Sequence, residues 1–331
     1  MQRISPAVIV SIRNFSLIVA GLGLLFASVS SAKAAESYIT IDATTSYVLD
    51  KSQPNKKHQI GSLTKIATAM VVLDWAASGS GDLAQVAIIP ESALVGANTN
   101  NIGFQPGDTI TLRDLLYAAL VQSDNIAAYT LANHVGTALL GTAANGGQSS
   151  RTTPVNYCVL QMNVLAKRLG MNRTRFLNPH GQDDKERPYS TAADMARLAR
   201  YAMNNAGFRF YVSQKEREIS FGRGPRRLRY LVRNTNELLG INAIDGVKTG
   251  QTERAGQCLI LSAAQPAEIV RQGETTLVTP RRLIVVLLDS PNRFGEGAQL
   301  LERGWQLYAQ WAAGGRIADP KELLAPAGNG R

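Results

Sequence analysis

The chain has 331 residues, of which 45% are hydrophobic and 18% are charged, and its formal net charge is +10. This composition is typical of a globular protein with a sizeable core. It excludes a disordered chain, a collagen and a small disulfide scaffold. A single segment is apolar enough to need a membrane-related explanation, so a polytopic membrane protein is excluded as well.

That segment, at the N-terminus, predicts a secretory signal peptide over residues 1–34. Arg3 and Arg13 precede an apolar run from Phe15 to Val29, and Ala32-Lys33-Ala34 has the small-residue pattern of a cleavage site. A run of about 15 residues is short for a bilayer, which needs about 20. The pattern therefore favours a cleaved leader over an uncleaved anchor, and we expect a periplasmic protein that begins at residue 35.

The charge of the chain predicts an anionic partner. The leader holds three basic residues and no acidic one, so the net charge of +10 falls to +7 without it. A basic exported protein favours anionic polymers of the cell envelope over nucleic acid. The densest basic stretch runs from Arg217 to Arg233, and we expect it to form a hairpin with a solvated basic face.

The cysteines and histidines predict neither a disulfide nor a metal site. Cys158 and Cys258 each lie in an apolar run, so we expect two buried free thiols, although an oxidising compartment permits a bridge. The chain has three histidines and no CxxC or HExxH motif. We therefore expect no metal and no other cofactor.

The hydrophobic pattern predicts strands near both ends of the chain and helices between them. The predicted strands are 38–42, 47–49, 257–263 and 283–288, and the predicted helices are 62–75, 109–120, 125–135, 155–169, 191–204 and 296–311. Thr111 and Thr191 are the predicted N-caps of two of these helices. This order predicts an α+β fold: an antiparallel sheet built from N- and C-terminal strands and packed with helices, plus an all-helical subdomain. We expect one domain over residues 35–312 and a flexible tail over 313–331.

Three short motifs carry the candidate chemistry. They are Ser62-Leu63-Thr64-Lys65 (S-x-x-K), Ser123-Asp124-Asn125 (S-D-N) and Lys248-Thr249-Gly250 (K-T-G). Each alone is weak, and S-x-x-K also occurs within the leader. Together they are the set known from class A β-lactamases and penicillin-binding proteins.

The spacing of the first motif predicts a serine nucleophile with a lysine base. Residues i and i+3 of a helix are neighbours, so the Lys65 amine can reach the Ser62 hydroxyl. A serine hydroxyl needs such a base. A lysine can serve only if its pKa falls, through burial and nearby cations such as Lys248.

The other two motifs supply candidate groups around that pair. Ser123 can relay a proton to a leaving amine, or it can simply cap the next helix. The Asn125 amide can hold both Lys65 and a substrate amide. Asp124 is expected to face outward and stabilise the helix N-terminus. Thr249 can hydrogen-bond a carboxylate, and Gly250 is expected to let a substrate backbone approach the strand edge.

Longer segments resemble the low-molecular-mass penicillin-binding proteins of the D-alanyl-D-alanine carboxypeptidase type, peptidase family S11. The resemblance extends from about Tyr38 to about Trp311. The matching segments are Gly61-Ser62-Leu63-Thr64-Lys65-Ile66, Pro106-Gly107-Asp108, Leu112-Arg113-Asp114-Leu115-Leu116, Asn178-Pro179-His180-Gly181, Tyr189-Ser190-Thr191-Ala192 and Asp245-Gly246-Val247-Lys248-Thr249-Gly250.

The resemblance implies a role for each site residue. Ser62 would be the acylated nucleophile and Lys65 its base, with penicillins as acylating inhibitors. The other implied roles are a second wall (Ser123, Asn125), a site for the terminal carboxylate of the substrate (Lys248, Thr249, Arg293) and an oxyanion hole formed by the backbone N–H groups of Ser62 and Gln251.

Some positions depart from the family pattern. Asp124 stands where the family often has glycine, and Gln251 stands where a histidine often follows K-T-G. Asn234-Thr235-Asn236 replaces a frequent Asn-Arg-Asn, so we expect an arginine contact to be lost. The last 20 residues have no amphipathic membrane helix, and His180 is expected to be a structural loop residue.

Three functions remain open. The first is a periplasmic serine carboxypeptidase, or endopeptidase, acting on peptidoglycan. The second is a β-lactamase, which needs a deacylating glutamate in an E-x-x-L-N context. No glutamate occurs between Ser92 and Lys185, and Glu186 lacks that context. The third is a non-catalytic peptidoglycan-binding protein.

Overall fold

A computed structural model describes residues 34–95, 99–144, 152–183, 187–272 and 275–324. Apart from Ala34, the predicted signal peptide lies outside these residues. The described residues belong to one unit of mutual contacts. Within them, no helix is both long enough and apolar enough to span a membrane.

The described part of the chain holds nine strands and seven α-helices. The strands are β1 (Ser37–Asp42), β2 (Val48–Ser52), β3 (Val86–Ile88), β4 (Thr109–Thr111), β5 (Glu216–Arg223), β6 (Arg226–Arg233), β7 (Ile244–Thr252), β8 (Gly256–Gln272) and β9 (Thr275–Ser290). The helices are α1 (Lys65–Ala77), α2 (Leu112–Leu120), α3 (Asn125–Ala144), α4 (Pro154–Arg168), α5 (Ala192–Asn204), α6 (Ala206–Val212) and α7 (Arg293–Ala313).

The main sheet joins the two ends of the chain, as expected. Its five antiparallel strands lie in the order β2-β1-β9-β8-β7. The run 283–288 of β9 is apolar throughout because both faces of the sheet are covered. Alternate residues of this run pack against α7 (Leu283, Val285, Leu287) or into the larger core (Ile284, Val286, Leu288). The α+β class is confirmed.

The middle of the chain holds the expected run of helices, since α2 to α6 follow one another between β4 and β5, and it is flanked by a second sheet that was not expected. Four strands form a second antiparallel sheet in the order β3-β4-β5-β6. Strands β3 and β4 have only three residues each, and Val86 and Ile88 of β3 are exposed. Such short strands give no alternation long enough to recognise. The predicted basic hairpin, Arg217–Arg233, supplies β5 and β6.

Both predicted helix N-caps are present in the structure, whereas one predicted helix end lies too early. The Thr111 hydroxyl accepts from the Asp114 N–H at 3.1 Å, and the Thr191 hydroxyl accepts from the Asp194 N–H at 3.1 Å. Helix α3 continues to Ala144, well past the expected end. Cys158 and Cys258 are buried free thiols, as expected.

The start of the expected flexible tail packs on the main sheet. The Trp311 ring stacks on Tyr47 with 4.5 Å between centroids, and Leu323 forms a bridge to Tyr47. Leu324 is buried. Leu323 and Leu324, within the predicted tail, therefore contact the rest of the protein, and the flexibility of the tail stays a prediction. Residues 325–331 lie outside the described part.

Candidate active site

The predicted nucleophile, Ser62, lies in a tight turn just before a buried helix. Residues Gly61–Thr64 form a 3-10 turn, and Lys65 begins α1. The Lys65 side chain is almost fully buried, and its Nζ lies 2.8 Å from Ser62 Oγ, 2.6 Å from Asn125 Oδ1 and 2.9 Å from the His180 carbonyl oxygen. The predicted Ser62–Lys65 and Lys65–Asn125 contacts are both present.

These three partners suit a neutral amine. The Asn125 and His180 oxygens can only accept, so they take the two N–H bonds of a neutral Lys65. The remaining lone pair then faces the Ser62 hydroxyl, which can donate. Burial lowers the pKa of Lys65 to about 7, against an opposing effect of the Asp124 charge. A substantial fraction of the amine is therefore neutral near pH 7.

The S-D-N segment places Ser123 in the cleft, and Asp124 departs from expectation. Ser123 has a φ of +68°, a left-handed conformation that is uncommon for a non-glycine residue. Asp124 does not face outward: it is buried, and its carboxylate accepts from the Ala127 N–H at 2.7 Å. Asp124 therefore caps the N-terminus of α3. The sequence had left this role open for Ser123. Burial raises the pKa of Asp124 to about 6.

The K-T-G strand packs directly against the nucleophile turn. A Cβ on Gly250 would lie 2.5 Å from the Ile60 carbonyl oxygen. The glycine is thus needed for contact between β7 and this turn, a different reason from the expected approach of substrate. The same contact brings Gln251 beside the turn, since a Cβ on Gly61 would lie 3.0 Å from the Gln251 nitrogen.

Lys248 is buried behind the cleft. Its Nζ donates to the Thr249 carbonyl oxygen at 3.1 Å. Burial lowers the pKa of Lys248 well below its usual value, and the charges of Lys65 and Arg293 lower it further. Burial is the largest cause of the lowered pKa of Lys65, rather than the expected charge of Lys248, although the two amines are close enough for their charges to interact.

Thr235 occupies the position of the expected lost arginine and joins two walls of the cleft. Its hydroxyl lies 2.6 Å from the Thr249 hydroxyl, and its backbone N–H donates to the Val121 carbonyl oxygen at 3.1 Å. Val121 lies two residues before Ser123. Sequence reasoning missed this positioning role, because Val121 is distant in sequence and no motif links Thr235 to either partner.

Arg293 approaches the K-T-G strand from the first turn of α7. Its Nη1 donates to the Gly250 carbonyl oxygen at 3.2 Å and lies 3.4 Å from Gln251 Oε1. The guanidinium also lies over the Phe294 ring, 4.9 Å from its centroid. The predicted carboxylate-binding arginine is therefore next to the end of the motif.

The Asn178–Gly181 loop forms the side of the site next to Lys65, the predicted base. Its His180 carbonyl binds Lys65, while the His180 ring accepts from the Gln182 N–H at 3.1 Å. Gln182 Oε1 in turn accepts from Asn125 Nδ2 at 3.2 Å. His180 thus shapes the loop, and the backbone contact to Lys65 carries no side-chain signal that a sequence could show.

A cavity of about 360 Å³ opens beside Ser62. It is lined by Ser62, Thr99, Ser123, Asn125, Gly181, Gln182, Asp183, Gln251, Thr252 and Glu253. Four predicted site residues therefore share this lining, whereas Lys65, Lys248 and Thr249 are buried next to it. The geometry places a serine hydroxyl next to a buried lysine amine at the edge of this cavity, as the predicted nucleophile and base require.

Comparison with known proteins identifies the family. The model of the D-alanyl-D-alanine carboxypeptidase family, Peptidase_S11, matches residues 26–271. The chain belongs to this family, so the resemblance stated from the sequence is confirmed.

Two curated relatives and one solved structure are representative of the similarity. The D-alanyl-D-alanine carboxypeptidase DacC of Escherichia coli is 30% identical over 285 residues, which is 83% of this chain and 62% of DacC. A D-alanyl-D-alanine endopeptidase of Pseudomonas aeruginosa is 31% identical over 69% of this chain and 66% of its own length. The chain thus spans less than two thirds of either relative. The crystal structure of the Streptomyces K15 DD-transpeptidase is 28% identical with a TM-score of 0.69, over 82% of this chain and 97% of that one.

Proposed function

We propose that this protein is a serine-type D-alanyl-D-alanine carboxypeptidase that removes the terminal D-alanine of peptidoglycan stem peptides in the periplasm. The observation that carries the proposal is the Lys65 amine, held by two carbonyl-type acceptors with its third contact on Ser62. We place the activity in residues 35–312, after removal of the leader.

Acylation uses the groups around Ser62. Neutral Lys65 takes the hydroxyl proton as Ser62 Oγ attacks the carbonyl of the penultimate D-alanine. The backbone N–H groups of Ser62 and Gln251 bind the developing oxyanion. The proton passes through Ser123 to the leaving amine, the C–N bond breaks, and D-alanine departs. Water then hydrolyses the ester and restores the Ser62 hydroxyl.

The substrate carboxylate occupies the end of β7. In the proposal, the Thr249 hydroxyl and the Arg293 guanidinium bind this carboxylate directly. Lys248 holds the strand through its hydrogen bond to the Thr249 carbonyl oxygen. Arginine suits this task because its fork can bind both carboxylate oxygens. Asn125 is available for the substrate amide through the side chain that also binds Lys65.

Penicillins are the expected inhibitors, since they offer a reactive amide followed by a carboxylate. The test is intact-mass analysis of the purified mature protein after incubation with a penicillin, with peptide mapping of the adduct. We expect a long-lived adduct on Ser62, none on Ser62→Ala, and a normal adduct on the matched variant Ser92→Ala, which changes an exposed serine.

The remaining outcomes separate the alternatives. Penicillin consumed without an adduct would indicate a β-lactamase, and intact penicillin without an adduct would indicate a binding protein. The substrate is tested by D-alanine release from a stem pentapeptide and by conversion of a cross-linked dimer into its two peptides. Release from the pentapeptide is expected. Cleavage of the dimer alone would indicate an endopeptidase, the activity that the P. aeruginosa relative is named for.

A further inference from the structure

The first residue of the predicted mature chain lies against helix α7. The backbone nitrogen of Ala35 donates to Glu296 Oε2 at 2.9 Å. Ala35 also packs against the apolar cluster between the main sheet and α7. The nitrogen that cleavage after Ala34 would free is therefore already in contact with a carboxylate.

The Glu296 carboxylate is held in place by neighbours other than Ala35. The Ser290 hydroxyl donates to the same Oε2 at 2.9 Å, and the Asn292 N–H donates to Ser290 Oγ at 3.0 Å. Glu296 also lies in the first turn of α7, where an acidic side chain is favourable. The acceptor is thus positioned independently of the chain terminus.

We propose that Glu296 is the binding site for the α-ammonium group created when the leader is removed. An export peptidase adds water across the Ala34–Ala35 peptide bond, which leaves a carboxylate on Ala34 and an amine on Ala35. That amine is mostly protonated at pH 7, since α-amino groups ordinarily titrate near pH 8. A neutral hydrogen bond to Glu296 thereby becomes an ion pair.

Two independent observations select the same residue. The A-x-A pattern of the sequence places the cleavage before Ala35, and the side-chain geometry places the Ala35 nitrogen on Glu296. The adjacent acid, Glu36, has other partners, since it is paired with Lys56 and lies 3.4 Å from His58 Nδ1. The carboxylate that accepts from the Ala35 nitrogen is that of Glu296.

The ion pair would tie the start of β1 to the first turn of α7. That turn also carries Arg293, which contacts the Gly250 carbonyl oxygen. Removal of the leader would therefore strengthen the attachment of an element that borders the active site. The inference does not depend on the proposed activity, because it is tested by mass and stability.

The test begins with the full-length chain exported from a bacterial host. Intact mass and N-terminal sequencing of the purified protein are expected to give Ala35 as the first residue. Thermal unfolding is then compared for wild type, Glu296→Gln and the control Glu302→Gln, which changes an exposed acid of the same helix. We expect Glu296→Gln to melt about 2 °C lower than wild type at pH 7.

The pH dependence of thermal stability separates the contribution of the Ala35 ammonium group from the other contacts of Glu296. Other charged or titratable groups nearby are the adjacent Glu36, the three groups that interact with it (Lys56, His58, Asp289), and Arg293 in the same first turn as Glu296. An ion pair raises the pKa of the amine in the folded state. Its stabilisation is therefore complete below the ordinary pKa and lost as the pH rises through the raised one. The difference between wild type and Glu296→Gln is expected to shrink by pH 9.5, and the control is expected to show no such change.

Two results would overturn the proposal. One is a mature N-terminus at another residue. The other is a Glu296→Gln effect that is equal at both pH values, which would leave Glu296 only its Ser290 contact and its helix position. If Glu296→Gln fails to fold, the proposal is tested instead by acetylation of the wild-type α-amine with an N-hydroxysuccinimide ester. Its rate is compared at pH 9.5 and pH 7.5, because the ratio of the first rate to the second cancels steric shielding of Ala35. A ratio equal to that of the free peptide Ala-Glu-Ser contradicts the ion pair, and a severalfold larger ratio supports it.

Discussion

The pH dependence of acylation gives the sharpest test of the lysine base. Because burial lowers the pKa of Lys65 to about 7, the neutral fraction rises from about a tenth at pH 6 to about nine tenths at pH 8. The acylation rate constant for a penicillin should therefore rise about tenfold over this interval and then level off. The assay is the rate of adduct formation, measured by quenched intact mass at a series of pH values.

An ordinary lysine would give a different curve. With an unshifted pKa the neutral fraction would rise about a hundredfold between pH 6 and 8 and would keep rising above pH 9. That result would refute the assignment of Lys65 as a base made available by burial.

The variant Asp124→Asn tests the electrostatic part of the same reasoning. The Asp124 charge raises the pKa of Lys65, so its removal should move the midpoint of the acylation profile to lower pH. Asparagine preserves the cap of α3, because its Oδ1 can still accept from the Ala127 N–H. The matched control is Asp82→Asn, an exposed turn residue whose carboxylate accepts from the Ala84 N–H. A midpoint that stays fixed or rises would contradict the proposed coupling between Asp124 and Lys65.

Three further predictions concern residues on or next to the K-T-G strand, β7. Thr235→Val should raise KM for a stem peptide about threefold to tenfold with little change in kcat, and Thr235→Ser should restore it, because only the hydroxyl contact is removed. Gly250→Ala should destabilise the protein by about 1–3 kcal/mol in urea unfolding, since the new Cβ meets the Ile60 carbonyl. Gly141→Ala, at an open helical position, should instead stabilise it by up to about 1 kcal/mol. Arg293→Ala should lower kcat/KM about tenfold or more for a peptide with a free carboxylate, and less for the C-terminal amide of the same peptide; equal losses would disprove a carboxylate contact.

Local signals were sufficient for much of the fold. The caps at Thr111 and Thr191, the apolar run of β9 and the basic hairpin are all determined by neighbouring residues, and each was found from the sequence. Strands β3 and β4 were not found, because a three-residue strand depends on its partners across the sheet. The contact between Leu323 and Tyr47 joins residues that lie far apart in the chain.

The sequence by itself determined the family, and it was sufficient to predict Ser62 and Lys65 as nucleophile and base, because their i, i+3 spacing is a local feature. The tertiary structure decided what surrounds them. The Lys65 amine contacts Asn125, 60 positions away, and the His180 carbonyl oxygen, 115 positions away. The Thr235 N–H contacts the Val121 carbonyl oxygen, and the Asp124 carboxylate is buried near Lys65. Only folding brings these residues together. A pKa depends on the solvent and charges that reach a group from every side, and those are fixed only when distant segments pack together.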